Sequence, residues 1–465
     1  MNMERIENIT FDEIEIGASA CLTRTLSHKD IELFAIVSGD VNPAHVDEEY
    51  AKSDMFHKII AHGMWGGALI SNLLGTELPG PGTIYLNQTL RFQAPVGLGD
   101  TVTVVVKVVE KDPVKHHVTL ECTVTNQKGV VAISGRAEVV APTEKVSRAR
   151  IVLPEAELHI KGRRYRQLIE LTTGMAAIKT AVVHPVDAVS LVGAVEAAKA
   201  GLIIPVLIGP EAKIRQAAKL ADLDLTEYEL ISTEHSEAAA ELAVAMARAG
   251  KVDALMKGSL HTDELMRAVV NPQTGLRTAR RMSHVFAIDA PNYPRPLFIT
   301  DAALNINPNL EAKRDIVQNA IDLVHALGIP EPRVALLSAV ETVTSDIPST
   351  LHAAALCKMA DRGQISGAIL DGPLAFDNAV SIEAAKTKGI VSVVAGVADI
   401  FLVPDLEAGN MLAKQLEYLA DAEIAGIVLG ARVPIILTSR ADKTMSRMAS
   451  CAIALLLARN GGASK

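Results

Sequence analysis

The stretch Gly63-Met-Trp-Gly-Gly-Ala-Leu-Ile-Ser-Asn-Leu-Leu74 is hydrophobic on nearly every side when wound at 3.6 residues per turn. It predicts a helix buried all round, and such a helix needs a sheet to wrap it. That sheet is expected between Thr83 and Val140, where β-rich runs alternate with short turns. They are Thr101-Val-Thr-Val-Val-Val-Lys-Val-Val109, Val118-Thr-Leu-Glu-Cys-Thr-Val-Thr125 and Val130-Val-Ala-Ile-Ser-Gly-Arg-Ala-Glu-Val-Val140. Consecutive antiparallel strands around one helix give an α+β unit over residues 1–145.

After Pro142 the character changes. Lys145, Arg148, Arg150, Lys161, Arg163, Arg164 and Arg166 stand among few large apolar residues, so a boundary is placed here, with 146–164 as linker. The run reads as a solvated face, with contact to a CoA phosphate as the alternative. From 165 to 465 short apolar runs alternate with alanine-rich helical stretches. The runs start at Ala181, Val206, Ala254, Val334, Gly367, Ile400 and Pro434. That order implies a parallel sheet with helices on both faces, which binds ligands at the carboxyl ends of its strands.

The composition agrees. Of 465 residues 49% are hydrophobic and only 3% aromatic, a balance suited to aliphatic strands covered by small-residue helices. A net charge of −9 argues against a nucleic-acid partner, which needs a positive footprint. Four cysteines, Cys21, Cys122, Cys357 and Cys451, lie too far apart for a zinc or redox motif and are expected as buried thiols in a reducing cytoplasm. The opening residues lack the apolar core of a signal peptide, and Gly389 to Pro404 is too short and too polar to span a bilayer. No membrane partner is expected.

Chemistry concentrates in a few strings. Ser38-Gly-Asp-Val-Asn-Pro-Ala-His45 sets Asp40 and His45 about a turn signalled by Asn42-Pro43. A carboxylate and an imidazole aimed at one water can deprotonate it near neutral pH. Taken alone, the same residues also make a helix-capping turn. His62-Gly63 opens the apolar helix, where unpaired N–H groups favour a developing oxyanion. Later, Thr438-Ser-Arg-Ala-Asp442 joins a buried strand to a helix start, a ready anion site to which Arg440 adds a phosphate-matching fork. Arg277 and Arg281 add positive charge. Lys257-Gly-Ser-Leu-His-Thr-Asp263, Asp371-Gly-Pro-Leu-Ala375 and Val403-Pro-Asp-Leu-Glu-Ala-Gly-Asn410 read as strand-end loops of a shared cleft.

Over roughly residues 10–140 the sequence resembles the (R)-specific enoyl-CoA hydratases of the MaoC-like, hot-dog type. The resemblance rests on Ser38-Gly-Asp40, Asn42-Pro43, His45, His62-Gly63-Met64, Ser71, Tyr85-Leu-Asn-Gln-Thr-Leu-Arg-Phe92, Pro95 and Gly99-Asp100. It implies Asp40 and His45 as the catalytic pair, with Gly63 N–H polarising the thioester carbonyl. It also implies Ser71 as a lining of the acyl pocket; Asn42 and His62 are further candidates for substrate contact, with a plain helix cap as the alternative for His62. Trp65 stands where these hydratases carry a smaller aliphatic residue. A hot-dog thioesterase or a dimerisation module remains the alternative for this half.

From about 165 to 460 the chain is similar to the phosphate acetyltransferase and butyryltransferase family. Asp371-Gly-Pro-Leu-Ala375, Pro404-Asp-Leu-Glu-Ala-Gly-Asn410, Thr438-Ser-Arg-Ala-Asp442 and Phe298-Ile-Thr-Asp-Ala-Ala-Leu-Asn-Ile306 carry this similarity, the last favouring the butyryltransferase branch. It implies two α/β lobes, about 165–300 plus 433–465 and about 301–432. CoA thiolate would attack an acyl phosphate in the cleft between them, with no metal or prosthetic group. Ser439 and Arg440 match residues that hold the reacting groups, and Arg277, Asp371 and Asn410 are expected at the substrate. The acetyltransferase branch has an aspartate base seven residues after the serine. Here Ser446 stands there, and Asp442 is the nearest carboxylate. The expectation is a bifunctional enzyme of acyl-CoA and acyl phosphate, cytoplasmic and at least dimeric. The alternative is a non-catalytic, acyl-CoA-sensing C-terminal module.

Overall fold

In the strands between Thr101 and Val140 every second side chain is apolar, and it is these alternate residues that are buried. Val102, Val104, Val106, Val108, Val118, Leu120, Val124, Ala137 and Val139 all face one core. The computed structural model describes residues 5–156, 158, 162–437 and 444–460, and contacts divide the chain into two units at Leu158/His159.

In the first unit a five-stranded antiparallel sheet holds, in spatial order, Ser19–Thr25, Thr101–Asp112, His117–Asn126, Val131–Val140 and Ile84–Phe92. The helix Gly63–Thr76 lies against it through Trp65, Gly66, Ile70, Leu73 and Leu74. The first and outermost strand, Ser19–Thr25, escaped the sequence reading because its pattern is polar. The helix is not buried all round: Met64 is 55% exposed and Ser71 is also at the surface. One sheet covers one side of a helix, and the small residues of the other side face out. Cys21 is likewise exposed, on an outward position of an edge strand, and Cys357 is half-buried; only Cys122 and Cys451 are buried thiols.

The second unit is built on an 11-stranded sheet. At one end Glu229–Ser232, Ile203–Gly209, Ile178–Val183, Ala254–Lys257 and Ile435–Ile436 run parallel; at the other Leu297–Thr300, Ile400–Leu402, Arg333–Leu337 and Ile369–Leu374 also run parallel. Between them Glu423–Leu429 and Ser283–Asp289 pair antiparallel with their neighbours, which corrects the wholly parallel expectation. The cause is loop length. Gly430–Pro434 and residues 290–296 are too short for the crossover that a parallel pair requires. The antiparallel strands reverse the direction of the second set, so the loops after Lys257 and after Leu374 and Leu402 leave opposite edges of the sheet.

Among the described residues no helix is long and apolar enough to cross a membrane. Of the basic run, Lys145 pairs with Glu13 and Arg150 with Glu77, as a solvated face would; Arg164 instead is held by Asp289.

Candidate active sites

The turn before the short helix Pro43–Val46 is built by its own side chains. Asp40 Oδ1 accepts the Asn42 N–H at 3.1 Å, and Asn42 Oδ1 caps the helix by accepting the Ala44 N–H at 3.1 Å. This arrangement orients the Asp40 carboxylate and carries His45 to the end of the turn. Ligand-capable atoms of Asp40, His45 and His62 all lie within 4.8 Å of one another.

The tautomers follow from the acceptors. His45 Nδ1 is 2.9 Å from the Ile60 carbonyl, which can only accept, so Nδ1 carries the proton and Nε2 keeps a basic lone pair. His62 Nε2 likewise donates to the Asp40 backbone carbonyl at 2.9 Å, which leaves its buried Nδ1 without a partner. The His45 and His62 rings pack at a tilt with centroids 4.0 Å apart, and the Phe34 ring packs against His62 at 5.0 Å. His62 is also the residue that begins the helix Gly63–Thr76. It thus ties the Asp40–His45 turn to the helix mouth.

His45, His62 and Gly63 open onto a cavity of about 320 Å³ with apolar walls from Phe56, Trp65, Phe92 and Ile133. Intrahelical bonding starts with Trp65 N–H to His62 O, and Gly63 N–H has no protein acceptor among the described residues. A Cβ on residue 63 would lie 2.9 Å from the Phe92 ring, so any larger residue would have to displace that ring. An N–H at a helix start, bare backbone and a dry wall together can hold an oxyanion beside a basic imidazole. The two other expected residues differ in placement. Asn42 is occupied as a helix cap, and Ser71 lines a separate depression of about 470 Å³ with Phe34, Met64, Tyr85 and Leu90. Eight positions along a helix separate Ser71 from Gly63, about 12 Å.

In the second unit Ser439, Arg440 and Asp442 lie outside the described residues. The strand Ile435–Ile436 that precedes them runs parallel to Ala254–Lys257, toward a cluster of polar groups the sequence reading did not assemble. Gly258 N–H and Ser259 N–H bond the Val183 and His184 carbonyls, both at 2.9 Å, locking two strand ends together. Here His184, Lys257 and Arg447 are buried. Burial alone would raise the Asp187 carboxyl, but hydrogen bonds from Ser259 and Ser190 and the Arg447 charge hold it below the usual range. Burial and the nearby Lys213 push His184 down. The available signal was Lys257, a charge at the end of an otherwise apolar strand.

Arg277, Asp371 and Asn410 do not join this cluster by strand direction. Exposed Arg277 bridges Ala431 past the carboxyl end of Glu423–Leu429, and Asn410 donates to the Ala302 carbonyl at 3.2 Å. Asp371, half-buried within its strand, accepts the Gly372 N–H at 2.8 Å. Ser446 is buried in the helix Thr444–Asn460, where its carbonyl accepts the Ser450 hydroxyl.

Fold and sites define a two-domain protein: a hot-dog unit with a carboxylate–imidazole cluster at a helix mouth, joined to an α/β unit with polar strand ends. Residues 13–130 match the family model described as MaoC like domain, and residues 236–455 match phosphate acetyl/butaryl transferase. A phosphate acetyltransferase of Rhizobium meliloti is 62% identical over 295 residues, 63% of this chain and 93% of that protein. A phosphate butyryltransferase of Clostridium acetobutylicum is 41% identical over 298 residues, 64% of this chain and 99% of its own length. A solved R-hydratase of Pseudomonas aeruginosa is 47% identical, covering 33% of this chain and 99% of that one, with a TM-score of 0.33. The chain belongs to the phosphate acetyl/butyryl transferase family and carries a MaoC-like domain in front of it. For the branch within that family, relatives bear both names, and the more similar of these two is the acetyltransferase.

Proposed function

We propose that the first unit hydrates a trans-2-enoyl-CoA to the (R)-3-hydroxyacyl-CoA, and that the second exchanges CoA and phosphate on a short acyl group. One observation carries the first half: His45 Nε2 is left basic beside Asp40, facing a cavity that also receives the free Gly63 N–H. In the hydration, water gives a proton to the Asp40–His45 pair as its oxygen bonds to C3. The displaced electron pair moves onto the thioester oxygen, which Gly63 N–H stabilises; as the carbonyl re-forms, the Asp40–His45 pair gives its proton to C2 and is regenerated. Loss of crotonyl-CoA's conjugated-thioester absorbance tests this, with Asp40→Asn and His45→Gln as controls. Unchanged turnover in both variants would remove the pair.

Family membership supports the second half. CoA thiolate attacks the acyl carbon, the C–O bond to phosphate breaks, and inorganic phosphate leaves. Consumption of free CoA thiol with acetyl or butyryl phosphate is the test. Neither reaction as written draws on a metal or prosthetic group. The exposed apolar residues Ile84, Leu86 and Phe92 on an edge strand favour pairing with a second copy, and the thiols suit a reducing cytoplasm. One observation favours the alternative of an acyl-CoA-sensing second unit: Ser446 is buried in a helix where the acetyltransferase branch has its aspartate. Thiol consumption no faster than in Arg440→Ala, with CoA binding retained, would select the sensor.

A further inference from the structure

A cavity of the transferase unit, about 840 Å³, is lined by none of the site residues assigned above. It lies where the helices Ser236–Arg248, Leu310–Ala326 and Thr444–Asn460 end. The Thr444 end of the last helix follows Ser439 and Arg440 in sequence, while Leu457 and Asn460 line the cavity. Seventeen residues of helix put the two ends about 25 Å apart.

The walls hold groups that a ligand would satisfy. Arg432 and Arg248 have no carboxylate partner among the described residues, although Arg248 donates to the Gln273 carbonyl. The cavity's own carboxylates are engaged: Asp322 with Arg280 and Gln318, and Asp253 with the Lys179 N–H at 2.9 Å. Asn319 is 3% exposed, and its amide nitrogen donates to Arg281 O and Ser283 Oγ, both at 2.9 Å. Those bonds fix the amide's orientation and leave Oδ1 with no donor among the described residues. That oxygen is therefore left to accept from a molecule in the cavity, which Asn319 lines. Two guanidinium groups without a carboxylate partner suit an anion, and Asn319 Oδ1 suits a hydroxyl or amino donor on the same molecule.

We propose that this cavity binds a phosphate monoester of sugar or mononucleotide size, with phosphate on Arg432 and Arg248 and a hydroxyl or amine on Asn319. Occupancy bears on acyl transfer through the chain itself. Arg432-Val433-Pro434 line the cavity, continue as the strand Ile435–Ile436, and reach Ser439 and Arg440 within a few residues. The helix on the far side of that string ends in the same cavity.

Calorimetric titration of the full chain with ribose 5-phosphate and with AMP tests the site, and the two ligands separate a need for the sugar phosphate from a need for the base. Saturable one-to-one binding of at least one is expected. Arg432→Ala and Arg248→Ala should each weaken it about 10- to 100-fold, the scale of a lost charge-assisted hydrogen bond, with basal transfer unchanged. The bound ligand should also alter the thiol-consumption rate in wild type but not in Arg432→Ala. No binding by either ligand, equal binding in both variants, or displacement by CoA overturns the proposal. Because calorimetry reads binding without turnover, an inactive transferase leaves this test intact.

Discussion

A carbonyl sets the tautomer of His45. Ile60 O fixes the Nδ1 proton, so the lone pair that faces the cavity does not depend on a tautomer choice in solution. Removing one member of a positioned acid–base pair lowers rates by about 10²–10⁴-fold. His45→Gln and Asp40→Asn should therefore cut the hydration kcat on that scale while thioester binding is retained; a loss confined to KM would contradict the role. Gly63 makes a different demand. Gly63→Ala keeps the N–H but drives a methyl into Phe92, so hydration should fall at least about tenfold. Adding Phe92→Ala to it should recover most of that loss, measured as kcat/KM. Failure of the second change to help would mean that the glycine serves something other than fit.

At the scale of elements, the helix Gly63–Thr76 has to bind the sheet and serve the site together. Trp65 is 6% exposed, packs in the core and also walls the cavity. Trp65→Ala should destabilise the first unit by about 3–5 kcal/mol, read by denaturant unfolding. The helix Ala188–Lys199 shows the same economy at its start, where Asp187 accepts the Ser190 N–H at 2.7 Å and faces Arg447. Asp187→Ala should cost about 1 kcal/mol for the lost cap. If Asp187 also shapes the transfer site, thiol consumption should fall more than stability explains, and Asp187→Asn should restore the fold without the rate.

Across the whole molecule, burial of polar groups sets a pH dependence. His284 is fully enclosed, and burial pushes its pKa down to about 3 from the ordinary 6.5. Between those values the unfolded chain binds the extra proton, so stability rises with pH across this window and is lost on acidification from about 6.5 toward 3. Urea midpoints of wild type should fall more steeply from pH 7 to 4.5 than those of His284→Leu. Parallel profiles would show that other groups dominate.

Much of this was legible from residues alone, for stated reasons. A strand with one buried face must alternate, so Thr101–Asp112 and its neighbours announced themselves. A turn that caps itself must carry Asp, Asn and Pro, so the Asp40 string was readable as a turn. Short apolar runs separated by helical stretches marked most strands of the second unit. What stayed hidden depended on partners distant in sequence. Ser19–Thr25 is a strand because Thr101–Asp112 offers it an edge, and Ser283–Asp289 takes its place in the sheet beside Glu423–Leu429, a neighbour far away in sequence.

The sequence by itself determined the periodicities, the turn chemistry and hence the class of each unit, because those properties are local to the chain. Only the tertiary structure decided which imidazole nitrogen is free, that Ser71 lies away from His45, and that Lys257, Asp187 and Arg447 gather at one sheet edge. Each of those outcomes is set by contacts between segments far apart along the chain, and no local pattern encodes them.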